Sequence, residues 1–405
     1  MIEGGMGLDL LFKLALVILI GCLAGKLAKI FRLSNIFGYL LAGFLMGPSL
    51  LQLISPHDIT SFAIVGEIAL AIVAFKIGSE FVLKDMRKLG KSFLIITFAE
   101  VAGAVLVVFS VLYFLLQEDF VFSLLMAAIS GATAPAASFM VMRQYRSDGP
   151  VTRTLLPVAA FDGVLGVVLF GVALSISRVY VLAGSNGYTY WQLVGQSLVE
   201  IIGSIALGTA LGLLLTFLGK KAGDTDELLI ITLALIFFST SLAKLLGLSP
   251  LLTNIILGSV LVNLNQNSNR VFFSLNHFTP PVFLLFFTLI GASLDLKVVM
   301  NVLIVGVFYI LARSCGKILG AWAGSKGVKA DPAVQRYLGL ALLPQGGISV
   351  TLAMLVHQHL PEYGMAVSTI LVFSVLFFEV IGPIFAKMAI EKAGEVGGMG
   401  RQFVN

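Results

Sequence analysis

The stretch "LLPVAAFDGVLGVVLFGV", residues 155–172, places one carboxylate, Asp162, inside an apolar run long enough to cross a bilayer. An acid about ten residues into such a helix lies ~15 Å from its end and cannot reach either interface. It must be protonated, paired or bound to a cation, because a charge at that depth costs from ~2.5 to well over 10 kcal/mol. An acid kept there despite that cost is a functional candidate.

The rest of the 405-residue chain has the same character: 58% of it is hydrophobic and 12% charged, which excludes a soluble globular protein. Roughly thirteen stretches of spanning length can be marked. They fall near 8–31, 35–54, 62–83, 92–116, 120–142, 152–179, 191–219, 228–246, 249–264, 271–295, 298–324, 334–357 and 363–388. The expected fold is an all-α polytopic membrane protein, a single membrane domain over 1–405 in contact with lipid. Glu3 and Asp9 precede the first stretch in place of a basic region, so it reads as a retained helix. Cys22 and Cys315 both fall in apolar segments and suggest neither a disulfide nor a metal site.

The net charge of +5 is distributed as in a membrane protein and not as in a nucleic-acid binder. Lys26, Lys29, Arg32, Lys84, Arg87, Lys88, Lys91, Arg143, Arg146, Arg153, Lys220, Lys221, Arg270, Lys326, Lys329, Arg336, Lys387 and Lys392 all map to loops or span ends on one side. Arg178, Lys244 and Lys297 map to the other. The positive-inside rule makes the first side cytoplasmic, with the N-terminus outside and the C-terminus inside, as expected for a bacterial cell-membrane protein.

The two halves of the chain resemble one another. Residues 27–43, "LAKIFRLSNIFGYLLAG", match 242–258, "LAKLLGLSPLLTNIILG", and a shift of about 215 recurs in "FKIGSEF" (75–81) with "TLIGASL" (288–294), "AEVAG" (99–103) with "ARSCG" (312–316), and "VAAFDGVLG" (158–166) with "VLFFEVIGP" (375–383). Repeat one would run over about 33–180 and repeat two over about 248–390. Mates seven spans apart face opposite ways, so the halves are expected to be inverted repeats, with a binding site near the midplane.

Two spans carry helix breakers in their middle. "SGATAPAAS" (130–138) holds Gly131, Ala134 and Pro135, and "LLPQGGIS" (342–349) holds Pro344, Gly346 and Gly347. Proline removes a backbone donor and glycine relaxes the chain, and irregular backbone at membrane depth is tolerated only against protein or a cavity. Two crossing broken helices would aim carbonyl and N–H ends at one place. A plain proline kink in each helix is the alternative.

The other intramembrane ionisable residues are Lys76, Glu100, Arg313, Lys317 and Glu379. The repeat sets Glu100 opposite Arg313 and Asp162 opposite Glu379. Arg313 and Lys317 lie on one helical face, and a buried lysine can lose its proton where arginine cannot, so Lys317 is the switchable partner expected for Asp162. Permanent neutralisation of Asp162 by either cation is the alternative. Glu100 and Arg313 read as a structural pair, and Glu379 could serve similarly. Lys76 lies about 12 Å from Lys84 along a helix and could snorkel or pair with Glu80. His57, His277, His357 and His359 fall near span ends, and no cofactor motif or nucleophile–base pair is visible, which argues against an enzyme.

"GYLLAGFLMGP" (38–48), "GEIALAIVAFKIGSE" (66–80), "FFTLIGASLDL" (286–296) and "GKILGA" (316–321) resemble the monovalent cation:proton antiporter superfamily, in particular its cation:proton antiporter-2 branch. The resemblance implies the Na+/H+ antiporter fold: thirteen helices in inverted repeats with crossed broken helices, in a homodimer. It also implies Na+/H+ or K+/H+ exchange by an elevator-like movement. The moving core would comprise 62–83 or 92–116 with 120–142, 152–179, 298–324, 334–357 and 363–388, and the remaining helices would dimerise. Asp162 corresponds to the aspartate region of the ion site, Thr133 and Ala134 to the unwound crossover, and Lys317 to the core-helix lysine. The chain departs from the family where Phe161-Asp162 stands for a polar or acidic pair, Thr133-Ala134-Pro135 for Thr-Asp-Pro, Gln345-Gly346-Gly347 for Arg-Gly-Glu, and Phe75-Lys76 for a Phe-acid pair.

The resulting expectation is an antiporter exchanging Na+, before K+, for H+. Asp162 alternates between proton and cation, Thr133 and Gln345 supply neutral oxygens, and Lys317 stabilises the empty carboxylate. One titratable ligand suggests one-for-one exchange. Two alternatives are a Kef-type potassium efflux transporter gated by a separate or missing regulatory domain, and an anion-coupled transporter whose cavity is made cationic by Lys76, Arg313 and Lys317. The chain ends about seventeen residues past the last expected span, which is short for such a regulatory domain.

Overall fold

The computed structural model describes residues 9–31, 33–79, 81–82, 90–186, 190–264 and 268–398, and among them it is helical throughout, with no strand. The chain divides into two compact units, the first made of 1–27, 38–88 and 179–294, the second of 28–37, 89–178 and 295–405.

The first unit holds α1 (Leu10–Ile30), α2 (Asn35–Met46), α3 (Pro56–Ser61), α4 (Ala63–Gly78), α9 (Tyr190–Lys221), α10 (Thr225–Leu245), α11 (Pro250–Leu264) and α12 (Ser268–Ala292). Val17, Ala42, Met46, Ile54 and Ala292 form one apolar core in it, while Leu11, Leu19 and Leu23 of α1 point outward. A helix apolar on all sides has lipid as its solvent on the outward face. Ser55 and Asp58 close α3 with reciprocal bonds, and Lys13 reaches Asp58 at 2.7 Å.

The second unit holds α5 (Lys91–Phe109, continued as a π-helical turn over Ser110–Leu115), α6 (Phe120–Ser130), α7 (Pro135–Gln144), α8 (Pro150–Asn186, to Arg178), α13 (Leu296–Gly327), α14 (Pro332–Ala341), α15 (Gly347–His359) and α16 (Pro361–Lys392). Its densest contact joins α5 to α13. Gly316, Gly320 and Gly324, one per turn of α13, let the backbones meet: a Cβ on Gly320 would sit 2.7 Å from the Cα of Glu100, and one on Gly316 2.6 Å from the carbonyl of Gly103. Without a hydrophobic drive between helices in lipid, such close van der Waals approach is what associates them. Val151, Leu155 and Val158 of α8 pack with Ala321, Leu338, Ala386 and Ile390 in a second apolar core.

Eight described helices are long and apolar enough to cross a membrane by themselves. The other five expected stretches are filled differently. Those near 35–54, 62–83 and 249–264 hold the short helices α2, α4 and α11, and those near 120–142 and 334–357 are each two half-helices. In place of mid-helix kinks, α6 ends at Gly131, an extended link follows, and Pro135 opens α7 at a position where its missing N–H is no loss. Likewise α14 ends at Leu342 and α15 starts after the extended Gly346 (φ −148°, ψ −155°). Asp119 caps α6 through the N–H groups of Val121 and Phe122, and Asp331 caps α14 through that of Ala333.

The helix that carries Asp162 is capped from the far end of the chain. The buried Glu395 carboxylate accepts the N–H groups of Val151 (2.6 Å) and Thr152 (2.8 Å) and the Thr152 hydroxyl (2.7 Å). Beside it the Arg153 guanidinium grips Asp148 at 2.8 and 2.9 Å and holds its carboxyl below the usual carboxylate range. Glu395→Ala should therefore cost about 1–2 kcal/mol. Thermal unfolding of the purified protein should show a lower midpoint for Glu395→Ala and a smaller fall for Glu395→Gln, which keeps one acceptor.

Candidate functional site

The link 131–134 and the link 342–346 run against each other inside the second unit. The Ala134 N–H donates to the Pro344 carbonyl at 3.0 Å, and the Ser138 hydroxyl donates to that of Ala341 at 2.7 Å. Gly346 is required there, since a Cβ on it would lie 2.7 Å from the Cβ of Ala134.

Breaking two helices leaves carbonyls at the ends of α6 and α14 without partners, and each helix end carries roughly half a negative charge. Arg313 meets the end of α6 and a carbonyl of each link: Nε donates to the Ser130 carbonyl (3.1 Å), Nη2 to Ala132 (2.9 Å) and Nη1 to Leu343 (2.7 Å). Its guanidinium carbon lies 4.8 Å from the centre of the Phe378 ring, and the side chain is wholly buried. A planar fork matches such divergent acceptors as a point charge cannot.

One turn further along α13, Lys317 is also wholly buried. Its ammonium donates to Gly131 O (2.7 Å), Thr133 Oγ1 (2.6 Å), Glu100 Oε2 (2.9 Å) and Oε1 (3.2 Å), and Asp162 Oδ2 (3.1 Å). Asp162 accepts the Thr133 hydroxyl on Oδ2 and the Thr133 N–H on Oδ1 at 3.3 Å. Glu100, Asp162 and Lys317 thus converge in a pocket of buried oxygen atoms with no exposed side-chain surface.

The structure corrects the pairing expected for Glu100. Its partner is Lys317 and not Arg313, because the glycine contact of α5 with α13 sets Glu100 level with the lysine while Arg313 is drawn to the helix-end carbonyls. Gln345 lies in the second link, but its amide is engaged elsewhere: Nε2 donates to Tyr309 Oη (3.1 Å) and Ser349 Oγ (3.0 Å), and Oε1 accepts from Ser374 (2.7 Å). Glu379 is buried beside Ser34, with Oε1 3.8 Å from the Cβ position of Gly346. Lys76 belongs to the first unit, where it donates to Asn276 at 2.8 Å and lies 5.6 Å over the Phe283 ring. Glu80, its expected partner, lies outside the described residues, as do Arg32, Lys84, Arg87 and Lys88. The spacing of Gly316, Gly320 and Gly324 is the sequence signal that would have placed Glu100 correctly.

A buried carboxylate at the junction of two broken helices, with a lysine and a hydroxyl on it, defines a membrane transporter of small ions. The comparisons agree. The transmembrane sodium/hydrogen exchanger family matches residues 14–391, and the chain belongs to it. It is therefore an integral membrane cation/proton antiporter and not an enzyme. The chain is 24% identical over 360 residues to the ammonium/H+ antiporter subunit AmhT of Alkalihalophilus pseudofirmus, covering 85% of this chain and 86% of the relative. It is 25% identical over 362 residues to the Na+/H+ antiporter NhaS4 of Synechocystis, covering 83% and 87%. The solved structure of the sodium proton antiporter MjNhaP1 from Methanocaldococcus jannaschii has the same fold, with a TM-score of 0.74 at 19% identity over 96% of this chain and 99% of that one.

Arg313→Lys should leave at least one helix-end carbonyl without its donor, at about 1–3 kcal/mol for each. A lowered unfolding midpoint of the purified variant, with Lys317 untouched, is the expected outcome.

Proposed function

We propose that this protein exchanges Na+ for H+, with Asp162 as the group for which the two ions compete. The observation that carries this reading is the Asp162 carboxylate itself. It is fully buried, bonded to Thr133 and Lys317, and seated where both broken helices present polar backbone. A carboxylate in a dry site does not stay charged unaccompanied, so it holds either a proton or a metal cation. Thr133 supplies a hydroxyl oxygen beside it, and Gln345 orders the second link through Tyr309, Ser349 and Ser374.

A site closed to solvent must open to each side in turn. An elevator-like movement of the second unit as a body is supported by its compactness and by its gathering of both broken helices with α5, α8, α13 and α16. The inverted-repeat reading is supported by the two breaks at 131–134 and 342–346 and by Asp119 and Asp331, which cap the two half-helices that precede them. A homodimer built on the first unit, with the N-terminus outside and the C-terminus in the cytoplasm of a bacterial cell, completes the proposal.

Asp162→Asn should abolish Na+-driven dissipation of a pH gradient in proteoliposomes, to below about one hundredth of the wild-type rate. Parallel assays with K+ and NH4+ rank the cargo, and unchanged Na+-driven proton flux in the variant would refute the proposal.

A further inference from the structure

The half-helices on the two sides of the crossover begin differently. Asp119 caps α6 and Asp331 caps α14, whereas α7 starts after Ala134 and α15 after Gly346 with no side-chain cap on either among the described residues. These two uncapped ends meet, since the Ala134 Cβ lies 2.7 Å from the point where a Cβ on Gly346 would stand. Each helix N-terminus carries about half a positive charge, so roughly one unit of positive charge gathers at that point. Arg313 bonds only carbonyls and leaves it unanswered. One acid comes close: Glu379 Oε1 lies 3.8 Å from the same point.

Glu379 is brought there by a face of α16 that lies along the second link. On that face the Ser374 hydroxyl donates to Gln345 at 2.7 Å, the Phe378 ring lies against Arg313, and a Cβ on Gly382 would stand 3.0 Å from the Pro344 ring. The Glu379 side chain is buried, and the hydroxyl and N–H of Ser34, from the stretch 28–37 of the same unit, donate to its carboxylate. Among the described residues no basic side chain pairs with it. The groups that face it are thus hydrogen-bond donors and the positive ends of two helices, an arrangement that attracts a negative charge.

We propose that Glu379 is the counter-charge of the two helix N-termini at the crossover, a positioning residue that holds the starts of α7 and α15 together and so sets the second link for exchange at Asp162. The proposal rests on the antiport reading above and adds to it an acid that acts without touching the cargo. The link that Glu379 steadies carries the Leu342 carbonyl, which accepts the Thr133 hydroxyl at 3.2 Å, and the Thr133 N–H donates to Asp162 at 3.3 Å. Glu379 therefore reaches the cation site through backbone. Ala134 flanks the same point and is only partly buried, so an acid placed at position 134 has room to take over the role.

The test moves the carboxylate from one side of that point to the other. In proteoliposomes of the full chain in alkaline buffer, Glu379→Gln should raise the KM for Na+ about tenfold while the maximal rate changes by less than about threefold. The Ala134→Asp, Glu379→Gln double variant should return KM to within about threefold of wild type, and its unfolding midpoint should recover with it. Ser34→Ala, which removes a donor but leaves the charge, should stay within about threefold of wild type. A Glu379→Gln protein with wild-type KM would overturn the proposal, as would a double variant no better than Glu379→Gln. A Ser34→Ala protein as impaired as Glu379→Gln would also overturn it, because Glu379 would then be a tether for Ser34. Should Glu379→Gln fail to fold, the double variant must still fold and exchange, and its failure counts against the proposal. Failure of the antiport reading shows separately, as exchange that survives Asp162→Asn, and the unfolding midpoints still report on Glu379.

Discussion

The contacts of Arg313 with the carbonyls of Ser130, Ala132 and Leu343 are the constraint on which the crossover and the buried cluster around Asp162 depend. Two helices broken at membrane depth leave acceptors that neither lipid nor water can satisfy, and the fork of one arginine takes one carbonyl from α6's last residue and one from each link. Once those ends are held, the half-helices cannot slide past each other, and the Ala134–Pro344 bond and the Gly346 contact register them. Lys317 then extends the arrangement by one turn and attaches Asp162 and Glu100 to it. The arginine that holds the broken helices and the lysine that holds the two carboxylates therefore sit on successive turns of a single helix.

The same division explains why a chain so poor in charge keeps these few. A lone buried ion is costly, while an ammonium set between two carboxylates at 2.9 and 3.1 Å offsets part of that cost. The hydroxyl of Thr133 lies between lysine and aspartate and can turn toward either the Asp162 carboxylate or the Leu342 carbonyl at 3.2 Å. That freedom gives the site a neutral oxygen that can follow a change at Asp162 without moving backbone.

Much of this was legible in the sequence because the informative residues break a uniform pattern. Asp162 stands out in an apolar run, and Gly131, Pro135, Pro344, Gly346 and Gly347 interrupt helices that would otherwise be continuous. What failed was the partner of Glu100. Alignment of the halves set it opposite Arg313, but pairing in space depends on the depth at which two helices cross, and that depth is set by Gly316, Gly320 and Gly324 packed on Ala99, Glu100 and Gly103. The direction of Gln345 was likewise out of reach, since its amide is claimed by Tyr309, Ser349 and Ser374 from three different helices, α13, α15 and α16. Helix lengths misled for a related reason: α2 and α4 stop short of the apolar stretches that contain them, because composition marks what lipid tolerates and not where a helix ends.

Competition between a proton and Na+ at Asp162 is the central claim, and equilibrium binding of radioactive Na+ to the purified protein across a pH series tests it most directly. If one carboxylate takes either ion, the apparent dissociation constant rises with falling pH by up to about tenfold per unit, with one proton released per Na+ bound. An affinity independent of pH, or a slope of two protons per Na+, would contradict the account.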